Sequence, residues 1–242
     1  RRQDYMAYLA ANPSIKKSLV GIQRDGTDVG STDLHPVVNL TWDEIQTFCA
    51  WVSQQDGRTY RLPTDHEWSW AVGIGDKEDA AMLPSELAAG LRGVYPWGTT
   101  WPPPPGSGNF SDASAVELLK IEAIPGYQDG FGGLAPVMSF PPNALGIHDL
   151  SGNVWEWCAD WYDASKQAHV VRGGCYRDGG VDKGNCLRCA DRVSRTANGR
   201  SASDGFRLVV EKKTARTAST PAAATLFSTK KEVPVGPVVS SP

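Results

Sequence analysis

No apolar run in this chain approaches the length of a membrane span, and its opening residues do not resemble a signal peptide. A soluble protein with no membrane partner is therefore expected, cytoplasmic or exported. A dominant charge is missing too. Twenty-seven Asp plus Glu stand against 24 Lys plus Arg, for a net −3, which gives no electrostatic case for nucleic acid as a partner. Cysteine is scarce and irregularly spaced: Cys49, Cys158, Cys175, Cys186 and Cys189 exclude a disulfide scaffold, and their odd number leaves a thiol over. The four histidines, His35, His66, His148 and His169, form no group, and His66 reads as solvated. The chain opens Arg1-Arg2 with no methionine and is expected to be a piece of a longer, multidomain product.

What the chain does have is tryptophan, nine in 242 residues, with twenty-five glycines and seventeen prolines. That mixture predicts a loop-rich domain held together by indoles, not a helical bundle. Residues 5–11 read as a short helix. Thr41-Trp-Asp-Glu44 is a capping box, followed by Ile45, Phe48, Cys49 and Val52 at i, i+3, i+4 and i+7. Thr64-Asp-His-Glu67 repeats the device, with Trp68 and Ala71 on the buried side of the next turn. From 73 to 91 the chain reads as weakly helical and interrupted by Pro84, and from Phe110 to Asp129 as a connection. Segments 170–174 and 205–210 read as strands. After Glu211 apolar periodicity stops, so 212–242 is expected to be a disordered tail or linker behind a domain of 1–211. The arginines from Arg172 onward could form an anion-attracting face, but such residues more often serve internal ion pairs.

Residues 146–157, Gly146-Ile-His-Asp-Leu-Ser-Gly-Asn-Val-Trp-Glu-Trp157, combine a glycine turn, two carboxylates and two indoles. A tight reversal at Gly152-Asn153 could bring Asp149, Glu156 and intervening carbonyls around one hard cation, and calcium suits such an oxygen set. The plain alternative is that Asp149 caps the turn and Glu156 pairs with an arginine.

In order along the chain come Leu40-Thr-Trp42, Cys49-Ala-Trp51, Tyr60-Arg-Leu-Pro-Thr64 with Glu67-Trp68, and Tyr95-Pro-Trp-Gly98. Ala135-Pro-Val137, Gly152-Asn-Val-Trp-Glu-Trp157, Val171-Arg-Gly-Gly174, Arg192 and Gly205-Phe-Arg207 complete the series. Together they resemble the sulfatase-modifying-factor family, that of the formylglycine-generating enzyme. The resemblance implies an α+β domain related to C-type lectins, with a small twisted antiparallel sheet and two main helices. An opening strand of the family is expected to be missing here. The resemblance also implies two structural calcium sites. One would use Asp149, the carbonyls of Gly152 and Val154, and Glu156; the other Asn109, the Phe110 carbonyl, Asp129 and the Phe131 carbonyl.

The family's oxidase turns a substrate cysteine into formylglycine with two cysteines holding copper, soft sulfur being the right donor for Cu(I). In the matching interval after the glycine pair, 176–185, this chain has no cysteine. Cys175, Cys186 and Cys189 lie nearby and are the weak candidates for a rearranged pair, but a strand over 186–189 would send Cys186 and Cys189 to opposite faces. Copper is accordingly not expected. The segment between Gly174 and Gly205 resembles relatives that display variable residues there, which makes Tyr176, Arg177, Asp178, Asp182, Lys183, Arg188, Asp191, Arg195 and Asn198 candidates for contacting a protein or small-molecule ligand. The leading expectation is a calcium-stabilised, non-catalytic module for binding or regulation. The runner-up is a working oxidase with a rearranged cysteine pair, and a third reading is a structural part tethered by its tail.

Overall fold

Tyr5, Tyr8 and Leu9, spaced i, i+3, i+4, form the buried stripe of the first helix, α1 (Arg2–Ala11). In this computed structural model the described residues are 1–15, 23–24, 27–28, 30, 32–179 and 184–212. Asp182 and Lys183, and the expected tail beyond Lys212, lie outside them. Residues Arg1–Glu211 make up one unit of contacts.

Behind α1, two-residue strands β1 (Gln23–Arg24) and β2 (Thr27–Asp28) pair antiparallel. The next helix, α2 (Trp42–Asp56), starts at the reciprocal cap expected of Thr41 and Glu44 and stops at Gly57, which takes the left-handed conformation. Its buried Phe48 lies 5.3 Å from Tyr5 and 5.5 Å from Tyr8, ring centre to ring centre, so α1 and α2 meet through aromatic edges. Strand β3 (Tyr60–Arg61) leads into α3 (Asp65–Val72), capped by Thr64 and Glu67 in the same way and ended by left-handed Gly73. His66 is not solvated as expected: it is half-buried, and its Nε2 accepts from Trp70 Nε1 at 3.0 Å, one turn along α3.

Two short helices correct the reading of the middle of the chain. Pro84 begins α4 (Pro84–Leu87) instead of interrupting a helix, since a first-turn proline has no lost amide to replace. The supposed connection after Phe110 holds α5 (Ala113–Leu119), whose N-cap Asp112 accepts from the amides of Ser114 and Ala115.

Strands β4 (Trp155–Trp161), β5 (His169–Arg172), β6 (Val193–Arg195) and β7 (Asp204–Gly205) form one sheet in the order β6-β5-β4-β7. β4 runs antiparallel to β5 and parallel to β7. The last strand, β8 (Val209–Val210), pairs instead with β3. The single strand expected over 205–210 is thus two short ones in different sheets. Close packing explains the bend, because a side chain at Gly205 would press on Val154 Cγ2 (2.9 Å) and the Val37 carbonyl (3.1 Å), while Arg207 turns inward.

The α3 helix is fastened to this sheet by charge. Arg172 of β5 donates to Asp65 and to the Cys189 and Asp191 carbonyls, and lies 4.4 Å over the Trp68 ring. Arg192 bridges Asp65 (2.9 Å) and Glu78 (2.7 Å). Burial alone would raise the Asp65 pKa, but the two guanidiniums outweigh it and hold the carboxyl below its ordinary value. Arg188, Arg195, Arg200 and Arg207 also sit in ion pairs, so most of the basic run is used internally.

Candidate functional site

Asp149, Gly152 and Asn153 all take positive φ (56°, 70° and 62°), which folds the 146–157 segment back on itself. The reversal is stitched to the other candidate loop. The Asn153 amide donates to the Asn109 carbonyl at 2.8 Å, and Asn109 and Gly152 form a parallel β-bridge. A Cβ at Gly152 would run into that same Asn109 carbonyl, so only glycine fits. The Asn153 Oδ1 accepts from Asn109 Nδ2 (3.1 Å) and the Ala135 amide (3.0 Å). Asn153 was not among the expected site residues, yet it is the strut that joins both loops.

Around Asn109 the backbone of the expected residues is held by Asp129. Asp129 accepts from the amides of Phe110 (2.8 Å) and Phe131 (2.9 Å), the two residues whose carbonyls were expected to serve as ligands. Burial pushes its carboxyl up to about 7 against the pull of those two amides. Asp112 braces the loop with four accepted amides, from Ser114, Ala115, Asp129 and Gly130. Asn109 gives its Nδ2 to the Gly133 carbonyl (2.8 Å) and to Asn153, while its buried Oδ1 has no hydrogen-bond partner among the described residues.

The Asp149 set differs in one respect. Asp149 Oδ2 accepts from the Met138 amide at 2.7 Å, and its buried Oδ1 is again without a partner among the described residues. Burial, and after it the nearby Glu156 charge, raises its pKa. Glu156, however, is already paired: Arg207 donates to both carboxylate oxygens at 2.6 Å and Trp68 Nε1 to one of them at 2.9 Å. The same guanidinium reaches the carbonyls of His148 (3.1 Å) and Asp149 (2.9 Å). The arginine pairing of Glu156 is therefore what the structure contains, and a cation beside Asp149 would have to share Glu156 with Arg207.

Both sets consist of hard oxygen donors, and each begins with a buried oxygen that has no partner among the described residues, which a cation or a water would satisfy. On those grounds the residues fit calcium, the Asn109 set better than the Asp149 set. Among the described residues no three His, Cys, Asp or Glu side chains are grouped to hold a metal, so any such site must draw on carbonyl and amide oxygens as these do.

Among the described residues Cys49, Cys158, Cys175 and Cys189 are in no disulfide. Cys175 is buried and its amide donates to Asp178 Oδ2 at 2.9 Å; burial, reinforced by the Asp178 charge, pushes its thiol far up. Burial pushes Cys189 up to about 12. The strand expected over 186–189 is absent; Cys186 is half-buried in a 3₁₀ turn, Gly184–Leu187. That turn packs on Gly174, where a Cβ would meet Leu187 Cδ2 at 2.6 Å and the Cys186 carbonyl at 2.9 Å. Two adjoining cavities, of about 470 and 380 Å³, share Pro36, Val137, Phe206 and Arg207 in their walls, and no cysteine lines either.

The expected ligand-contacting surface is largely folded inward. Tyr176 is 0% exposed and its amide donates to the Asn153 carbonyl at 3.0 Å. Asp178 faces Cys175 and Trp155. Asp191 is 7% exposed and accepts from Arg188 at 2.6 Å, and Arg195 donates to Asp204 at 2.8 Å. Arg177 is half-buried and Asn198 exposed. The physical reason is that the glycine-rich loop is pinned onto the Asn109 and Asn153 loops instead of standing out from the sheet.

A mixed α/β domain with little regular structure, its loops clasped by buried amides and carboxylates below an Arg-Gly-Gly strand, is the formylglycine-generating-enzyme class of fold. Residues 4–212 match the sulfatase-modifying factor enzyme 1-like domain, and the chain belongs to that family. It is 35% identical over 176 residues to a Bos taurus protein named inactive C-alpha-formylglycine-generating enzyme 2, covering 71% of this chain and 49% of that one. To the Mus musculus formylglycine-generating enzyme it is 28% identical over 194 residues, covering 73% and 44%. The chain thus spans about half the length of these relatives. Among solved structures, PvdO from Pseudomonas aeruginosa superposes with a TM-score of 0.59 at 22% identity, over 87% of this chain and 77% of that one.

Proposed function

We propose that this chain is a non-catalytic member of its family, a binding or regulatory module whose loops are held by calcium. The observation that carries the reading is the state of the thiols near the Arg-Gly-Gly strand. Copper ligation and nucleophilic attack both use thiolate, and burial raises the pKa of Cys175 and Cys189, which disfavours it. Asp178, a hard carboxylate, is the group turned towards Cys175. Similarity to a relative named inactive supports the same reading. Bound calcium would supply charge for the orphaned oxygens of Asn109 and Asp149 and tie their loops together. Among the described candidates of the 174–205 segment, Asn198 is exposed and Arg177 and Arg195 are half-buried, and these are the ones left to contact a ligand.

The second reading, an oxidase with a rearranged pair, is favoured by the Cys186-Leu-Arg-Cys189 spacing and by the similarity to formylglycine-generating enzyme. Titrating the chain separately with calcium and with copper(I), and counting metal per chain, decides between them. Calcium without sulfur-bound copper is the expected result. One copper per chain, lost in Cys186→Ser or Cys189→Ser, would reverse the order of the two readings.

A further inference from the structure

Asn109 and Asn153 engage each other through their side-chain amides, and the pattern fixes which end of the Asn109 amide is left over. Asn109 Nδ2 donates to the Gly133 carbonyl at 2.8 Å and to Asn153 Oδ1 at 3.1 Å. A carbonyl only accepts, so the nitrogen belongs on that side and the oxygen on the other. Asn109 is 0% exposed, and its Oδ1 has no hydrogen-bond partner among the described residues. Asn153, by contrast, is fully engaged. Its Oδ1 also accepts the Ala135 amide at 3.0 Å, and its Nδ2 donates to the Ala135 carbonyl at 3.2 Å. The side chain thus clamps Ala135 by both backbone groups, as a neighbouring strand would, and Gly133 lies two residues back on the same segment. Both acceptors of Asn109 Nδ2 therefore depend on Asn153: one is its own oxygen, and the other belongs to the segment it clamps. The backbone of Asn153 is fixed independently, its amide donating to the Asn109 carbonyl at 2.8 Å and its carbonyl accepting from the Tyr176 amide at 3.0 Å.

We propose that Asn153 is a positioning residue for cation binding at the Asn109 set: it holds the Asn109 amide in the one orientation that offers oxygen, and not NH2, to a bound ion. The inference rests on the calcium reading of that set and adds a residue that does not itself touch the ion. Calcium takes oxygen donors only, so an Asn109 amide turned the other way would present hydrogens to the cation and repel it. With the Asn153 side chain gone, Asn109 Nδ2 loses one acceptor outright and the segment carrying the other loses its clamp. The expected cost is about fivefold to tenfold in calcium affinity, which is what one hydrogen bond of ordinary net strength is worth. Asparagine suits the position for a local reason as well, since φ at 153 is 62°, in the left-handed region that asparagine tolerates better than most side chains.

Calorimetric titration with calcium of the whole chain, first stripped of metal with a chelator, compares the natural protein with Asn153→Gly, Asn109→Ala and the double variant. Glycine adopts the positive φ at 153 without strain, so the side chain is removed and the turn kept. Far-UV circular dichroism confirms that the variant folds, and Asn153→Ser replaces it if it does not. The expected result is calcium binding by the natural chain, weakened about fivefold to tenfold by Asn153→Gly, with no further weakening when Asn153→Gly is added to Asn109→Ala. The gap in melting temperature between the natural chain and Asn153→Gly should also be wider in calcium than in chelator, which a loss of packing alone would not produce. Unchanged affinity in Asn153→Gly, or the same loss in the Asn109→Ala background, would overturn the proposal and leave the calcium reading standing. A natural chain that takes up no calcium would overturn that reading, and this inference with it.

Discussion

Glu67 shows what one carboxylate contributes at the residue scale. It caps α3 by accepting the Thr64 amide at 2.8 Å, and it holds Arg61 through two bonds of 2.7 Å. Arg61 first, with the Thr64 amide behind it and against the effect of burial, brings its pKa down to about 2. For a depressed carboxylate the stabilisation is complete above the unfolded value of about 4.3 and disappears as pH falls towards 2. Glu67→Gln, which keeps an acceptor for the cap but loses the charge, is expected to lower the melting temperature at pH 7 by a modest amount, since the pair is part-exposed. The difference from the natural chain should vanish near pH 2, and a gap unchanged from pH 7 to pH 2 would contradict the assignment. The local half of this arrangement could be read from the Thr64 to Glu67 spacing. The partners of Asp65 could not: Arg172 and Arg192 lie 107 and 127 positions away, and nothing in the pattern of a helix names a charge that distant.

At the scale of elements, what could be read followed the range of the interaction. Helices α2 and α3 were legible because a cap and a stripe lie within one or two turns, and Thr41→Ala or Thr64→Ala should each cost about 1 kcal/mol in urea unfolding. A loss of only a few tenths for both would mean that the caps carry little of the stability. Helix α5 went unread although Asp112 ahead of Ala113 was a usable N-cap signal, because its stretch is short and only Ala115 is fully buried. The 205–210 segment went wrong for a tertiary reason: Arg207 leaves the strand to pair with Glu156, 51 positions earlier. The 176–198 loop failed likewise. Polar and glycine-rich segments suggest display, but here the Tyr176 amide is fastened inward to the Asn153 carbonyl, a partner that only the folded chain brings near, while Asp191 is held by Arg188 three residues before it.

For the whole molecule, the fold of the family is retained while burial raises the pKa of the Cys175 and Cys189 thiols and no cysteine lines either of the two adjoining cavities. The candidate metal residues were named through resemblance; Asn109 is buried, and Asp129 and Asp149, half-buried, accept backbone amides of their own loops or of the neighbouring segment. Their dependence on Asn153 was not legible, because its role is to hold two loops 44 positions apart. The central claim, that this scaffold no longer oxidises cysteine, is open to one direct measurement. The chain is loaded with copper(I), given oxygen and a cysteine-containing sulfatase-type peptide, and the peptide is followed by mass spectrometry. The account predicts a peptide whose cysteine is not converted to the aldehyde; formylglycine accumulating over repeated turnovers, and abolished by Cys186→Ser, would contradict it.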